Sequence, residues 1–211
     1  MTQRAFFLNG RRCTGCKTCQ MACIDLHDLP AGRTFRRVYE YTGGGWGRDA
    51  DDRATQDLFG YYLSVSCNHC DEPVCVPACP TGAIAKDGET GLVTVDASSC
   101  TGCGACAQAC PYDAIAMDVE QGVATKCDGC AARVKAGMAP VCVEACPMRA
   151  LYAGDAGDAP QGYERADVAP LPPVDETRPN LFVLAPRHAE RAGDAAAVGA
   201  VTNPEELGLQ A

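Results

Sequence analysis

The sequence predicts an α+β fold of two interleaved, cysteine-built domains with irregular insertions and a C-terminal extended strap. Three observations predict it. Sixteen cysteines fall into four groups of like spacing, the segments between groups look like small hairpins, and a Pro-, Gly- and Asp-rich stretch follows the last group.

The first group is Cys13, Cys16, Cys19 and Cys23, spaced C-x2-C-x2-C-x3-C. The second is Cys67, Cys70, Cys75 and Cys79, spaced C-x2-C-x4-C-x3-C. The third, Cys100, Cys103, Cys106 and Cys110, repeats the first spacing, and the fourth, Cys127, Cys130, Cys142 and Cys146, opens it to C-x2-C-x11-C-x3-C. Each group closes with C-x3-C, Pro follows the last cysteine in three of them, and no cysteine is left over. A pattern that closes in this way is an internal repeat.

Along the sequence, residues 5–8 are apolar but far shorter than the core of a secretory signal. Arg11-Arg12 runs straight into Cys13, without the apolar stretch that an export signal requires. The x3 step before each last cysteine, as from Cys106 to Cys110, suits one turn of helix after a ligand loop. Residues 24–66 interrupt the repeat with a strand-like 35–41, a flexible Gly43-Gly44-Gly45 and an acidic 49–52. Residues 61–65 read as a short strand leading into the second group. Segments 83–86 and 92–95 can pair around Asp87-Gly88-Glu89-Thr90-Gly91, and 114–118 with 123–126 around Gln121-Gly122. Residues 153–180 read as an extended strap. The Ala-rich tail from Pro186 is expected on the surface or against a partner.

Strand, ligand loop, short helix, strand is the half-unit of a bacterial two-cluster ferredoxin. A C-x2-C-x2-C loop aims three sulfurs inward, while the fourth cysteine serves the other cluster of the pair. The third group directly follows the second, so these two are expected to exchange their last cysteines, which leaves the first and fourth to pair. Four [4Fe–4S] clusters follow from that order. One takes Cys13, Cys16, Cys19 and Cys146, and a second Cys23, Cys127, Cys130 and Cys142. A third takes Cys67, Cys70, Cys75 and Cys110, and a fourth Cys79, Cys100, Cys103 and Cys106. The expected domains are 1–60 plus 125–152, then 61–124, with 153–211 as strap and tail. Disulfides suit an oxidising compartment, but C-x2-C pairs rarely close on themselves. Zinc uses two separated C-x2-C pairs and has no need of a third cysteine at the next step, so only the fourth group resembles a zinc site. His69, between Cys67 and Cys70, reads as a neighbour more readily than as a Rieske-type ligand. His27 and His188 have no partner pattern. Lys17, Lys126 and Arg133 are either counter-charges for clusters or ordinary surface residues.

The net charge of −9 and pI near 4.8 argue against nucleic acid, whose phosphates call for Lys and Arg. No run approaches the ~18 apolar residues of a membrane span. No Ser/His/Asp arrangement, phosphate loop or nucleotide fingerprint is present, so no catalytic residue is expected.

The four groups in this order resemble the iron–sulfur (beta) subunits of complex molybdopterin oxidoreductases, and among them the B-chain family of dimethyl sulfoxide reductases. The resembling stretches are RRCTGCKTCQMAC (11–23), FRRVYEY (35–41), SCNHC (66–70), TKCDGC (125–130), Pro179-Asn180 and Asn203-Pro204. The resemblance implies an electron-transfer subunit without catalysis of its own. Its partners would be a quinol-oxidising integral membrane anchor and a molybdopterin-containing catalytic subunit, so it would lie peripheral to the membrane. The Cys13-containing cluster would lie nearest the catalytic subunit, and the one on Cys79, Cys100, Cys103 and Cys106 nearest the membrane subunit. Nitrate reductase beta subunits carry Trp where this sequence has Cys103, and formate dehydrogenase beta subunits carry a C-terminal membrane helix that this sequence lacks. The same role in a thiosulfate, tetrathionate, polysulfide or arsenate reductase complex, or as a free-standing polyferredoxin, stays open.

Overall fold

In the computed structural model, which describes residues 2–208, two small sheets and three two-stranded ribbons surround the cysteine loops. Strand β1 (Arg4–Asn9) is apolar on both faces because both are covered. Phe6 and Leu8 enter the main core, while Ala5 and Phe7 meet Phe182 on the other side. β2 (Arg36–Gly43) pairs along its whole length with β5 (Phe59–Ser66), from Arg36 opposite Ser66 to Gly43 opposite Phe59. Tyr41 lies against Tyr61 with ring centroids 5.1 Å apart. Between them β3 (Trp46–Arg48) and β4 (Ala54–Gln56) form an exposed ribbon over the Gly43-Gly44-Gly45 break.

The hairpins β6–β7 (Ile84–Lys86, Val93–Val95) and β8–β9 (Ile115–Asp118, Val123–Lys126) form as their turns dictate. Ile84, Val93, Ile115 and Ala124 join Cys75 and Cys106 in a second, smaller core. The main core gathers Leu8, Val38, Leu63 and Leu181 around Cys19, Cys67, Cys127, Cys142 and Cys146. Each fully buried aliphatic side chain contributes about 1.5–3 kcal/mol. Cysteine occupies the positions such residues would otherwise fill.

Helix α1 (Thr18–Leu26) follows the first cysteine loop, and α2 (Ala105–Ala109) follows the third. In the fourth group α3 (Ala131–Lys135) fills the x11 gap and α4 (Val141–Glu144) precedes Cys146. The second group forms turns instead of the expected helical turn. Pro73 and Pro77 lack N–H groups and flank Cys75, and bonds from Val76 N–H to Pro73 O and from Cys79 N–H to Val76 O close successive turns there.

The expected extended strap is only partly extended. β10 (Leu151–Asp155), β11 (Glu164–Arg165) and β12 (Leu181–Leu184) complete a four-stranded sheet in the order β10-β1-β12-β11, with β1 and β12 parallel. Between β11 and β12, Ala166, Val168, Ala169 and Leu171 are buried, because the segment closes over the main core. The described part of the tail runs over the surface and is tied down at a few points. β13 (Ala200–Val201) joins the edge of β2, and α5 (Pro204–Leu207) buries Leu207. Residue 1 and residues 209–211 of the expected tail lie outside the described residues.

Candidate metal centre

The first cysteine loop leaves β1 with Cys13 N–H bonded to Asn9 O at 3.1 Å. It turns at Gly15 (φ 68°) and Lys17 (φ 59°), and Lys17 is held by ion pairs to Glu40 at 3.1 Å and to Glu206. Cys19 and Cys23 stand one turn apart on α1, and α4 packs against α1. That packing brings Cys146 to the first loop, so Cys13, Cys16, Cys19 and Cys146 line one cavity beneath Leu8 and Val38. Cys23 faces Cys127, Cys142 and Cys130.

Cys130 itself adopts φ 53°, and the preceding Gly129 lies against Leu92. The insertion after it is closed by Arg133, whose Nε donates to Ala139 O and whose guanidinium pairs with Glu144. Cys67, Cys70, Cys75 and Cys110 line another cavity with Tyr112 and Thr177. Cys106 neighbours Cys79 and Cys100, and Cys103 is exposed on the loop before α2. At Gly102 (φ 69°) a Cβ would sit 2.3 Å from Gly122 O, so the β8–β9 turn and this loop touch backbone to backbone.

The groupings connect in a row: α1 carries both Cys19 and Cys23, and Cys67 and Cys127 lie together in the main core. The second-group turns join Cys75 to Cys79.

All sixteen thiols are free of disulfides. Burial pushes Cys13 and Cys70 up to about 11, and Cys23, Cys75 and Cys127 up to about 12. Thiols in such surroundings stay protonated unless a metal takes the sulfur. The backbone nevertheless offers donors to sulfur: Ala124 N–H to Cys100 at 3.4 Å, Gly129 N–H to Cys127 at 3.4 Å and Ala150 N–H to Cys146 at 3.3 Å. Cys79 lies at about 7, lowered by the Thr81 hydroxyl and then by Ile84 N–H. All-thiol sets, left-handed turns and N–H groups aimed at sulfur fit iron–sulfur ligation.

Of the other residues singled out in the sequence, His69 is buried, and its Nδ1 accepts Val93 N–H at 3.0 Å. Burial holds it well below its ordinary 6.5, so it is a neutral structural neighbour of the loop whose Nδ1 lone pair is already used. His27 stacks edge-on against Phe35 beside Asp128 and Cys130, and His188 is exposed. Lys126 is buried and donates to Val93 O and Cys127 O.

Arg36 has no counterpart among the sequence-based candidates. Only 1% exposed, it donates to Ser64 O and Oγ at 3.2 Å and to Ser66 Oγ at 2.9 Å, and lies 4.6 Å from the centre of the Phe6 ring. Its alternation with Val38 along β2 was the available signal, since it puts a charge on the inward face.

Residues 58–156 match the family model described as a 4Fe-4S dicluster domain. The protein is 48% identical to the B-chain of anaerobic dimethyl sulfoxide reductase from Haemophilus influenzae, over 98% of its own length and 100% of the relative's. It is 45% identical to the protein of the same name from Escherichia coli K12, over 98% and 99% of the two lengths. Identity to the B-subunit of tetrathionate reductase from Salmonella typhimurium is 36%, over 85% of this protein and 71% of that one.

Proposed function

This protein is a member of the anaerobic dimethyl sulfoxide reductase B-chain family, and from that premise we propose that it relays electrons between a quinol-oxidising membrane subunit and a molybdopterin catalytic subunit. It is an iron–sulfur electron-transfer subunit, and the catalysis lies with a partner. Four [4Fe–4S] clusters would be held on the cysteine sets given above: Cys13, Cys16, Cys19 and Cys146; Cys23, Cys127, Cys130 and Cys142; Cys67, Cys70, Cys75 and Cys110; Cys79, Cys100, Cys103 and Cys106. A bound cluster of this kind supplies a one-electron carrier. The protein's own part is to fix the sulfurs, exclude water from them and donate backbone N–H groups to their charge.

The observation that carries this reading is the placement of the exposed cysteines. Only Cys16 and Cys103 are exposed, and they fall in the first and last sets of the linear order, while the intervening sets are buried or half-buried. A relay between two partners needs that arrangement, with access at each end and insulation between. We assign 1–60 plus 125–152 to the first two sets and 61–124 to the other two, with 153–211 as strap and tail. Among the described residues no helix is long and apolar enough to cross a membrane, so attachment would come through the membrane subunit. The likeness to a tetrathionate reductase subunit leaves the terminal acceptor to the catalytic partner.

Iron and acid-labile sulfide on the anaerobically purified protein, with low-temperature EPR after dithionite, test the cluster count. About sixteen of each, with interacting S = 1/2 signals, is expected. Zinc, or a count near eight, overturns it. In the assembled complex, quinol should bleach the iron–sulfur absorbance and the terminal acceptor restore it, and failure of either step removes the corresponding partner.

A further inference from the structure

We infer that Arg36 is a fixed cation shared by the first two cysteine sets, and that it raises the reduction potentials of the clusters those sets hold. The inference rests on the ligand sets proposed above. Arg36 is buried, and no carboxylate pairs with it among the described residues. Its hydrogen bonds go to neutral groups, a backbone carbonyl and two serine hydroxyls, and its Nε has no partner. A guanidinium is always charged, and a buried charge without an opposite one is costly. The missing anion has to be close by, and the hydrogen bonds of Arg36 lead through Ser64 to the Cys19 thiol.

The Ser64 hydroxyl lies 3.2 Å from the Cys19 sulfur and 3.2 Å from Arg36 Nη1, so it links the cation to the first set. Cys127 and Cys142 of the second set share the main core with Cys19, and α1, which carries Cys23, packs against β2, which carries Arg36. A fixed cation beside a sulfur favours its anionic form. A charge that favours anionic sulfur also favours an added electron on the cluster that the sulfur holds.

The test is potentiometric titration, followed by EPR, of the anaerobically purified full-length protein as wild type, R36M, R36Q, R36K and S64A. Iron is counted in each. With full iron, R36M and R36Q should move two of the four couples to more negative potential by over tenfold in the one-electron equilibrium, about 59 mV. R36K should leave them in place, and S64A should move only the couple of the Cys19 set. Neutral variants that keep full iron with all four couples unmoved overturn the inference, as does R36K shifting as far as R36Q. Iron lost from both neutral variants but kept in R36K upholds it, and iron lost from all three overturns it. A wild-type count near eight refutes the ligand sets instead, which separates that failure from this one.

Discussion

At Gly15 the backbone takes φ 68°, and a Cβ would sit 2.4 Å from the Tyr62 ring, so both conformation and space demand glycine there. Forcing a side chain into the left-handed region costs about 1–2 kcal/mol, and the ring cannot yield without disturbing β5. Gly15→Ala should therefore open the first loop, lower the thermal midpoint and remove iron from the Cys13 set alone. Iron analysis with EPR would check this, and a variant with wild-type iron and midpoint would refute it. Residues of this kind were legible only in part. The grouping of the cysteines is readable from their spacing, because such a loop is local. Arg36 did not, because its meaning depends on Ser64 and on thiols brought by α1 and α4, which no local pattern encodes.

The elements divide along the same line. The two hairpins were readable to within a residue, since turn and strands lie within one short stretch. The sheet built on β1 was not, because its partners β10 and β12 are remote and its short strands carry no register signal. The attachment of the tail to β2 was missed for the same reason. Asn203 makes that attachment, accepting Glu40 N–H and donating to Val38 O, each at 2.9 Å. Asn203→Ala should cost about 1–3 kcal/mol, as expected for buried groups left unpaired, and speed amide exchange along β2. Unchanged exchange would show that β13 alone holds the tail. Tyr41 gives the same junction a pH dependence. Burial, and then its 2.6 Å bond to Glu190, push the phenol from 10.0 up to about 12. The folded state keeps a proton that the unfolded polypeptide releases, so this stabilisation is intact below pH 10 and is lost as pH rises toward about 12. Melting temperatures on either side of pH 10 should fall less steeply in Tyr41→Phe than in wild type.

Across the whole molecule, exposure of the cysteine sets ranks them by vulnerability. Cys16 and Cys103 are exposed, whereas Cys23, Cys127, Cys130 and Cys142 are all buried. During timed exposure to air the sets containing Cys16 and Cys103 should lose iron first and the Cys23 set last, since oxidants reach accessible sulfur soonest. EPR of samples quenched along the course would establish the order, and simultaneous loss of all signals would contradict it. The parallel pairing of β1 with β12 has a further consequence, in the time domain of synthesis. Translation delivers the first ligand loop early, yet β1 lacks both of its sheet neighbours until the ribosome has passed β10, and the parallel one until it has passed Leu184. At about 5–20 residues per second that delay is on the order of ten seconds. The 61–124 stretch, whose hairpins are self-contained, can be folded by then. Maturation of the nascent polypeptide would therefore run from the middle outward, with its earliest-made thiols waiting longest for their metal.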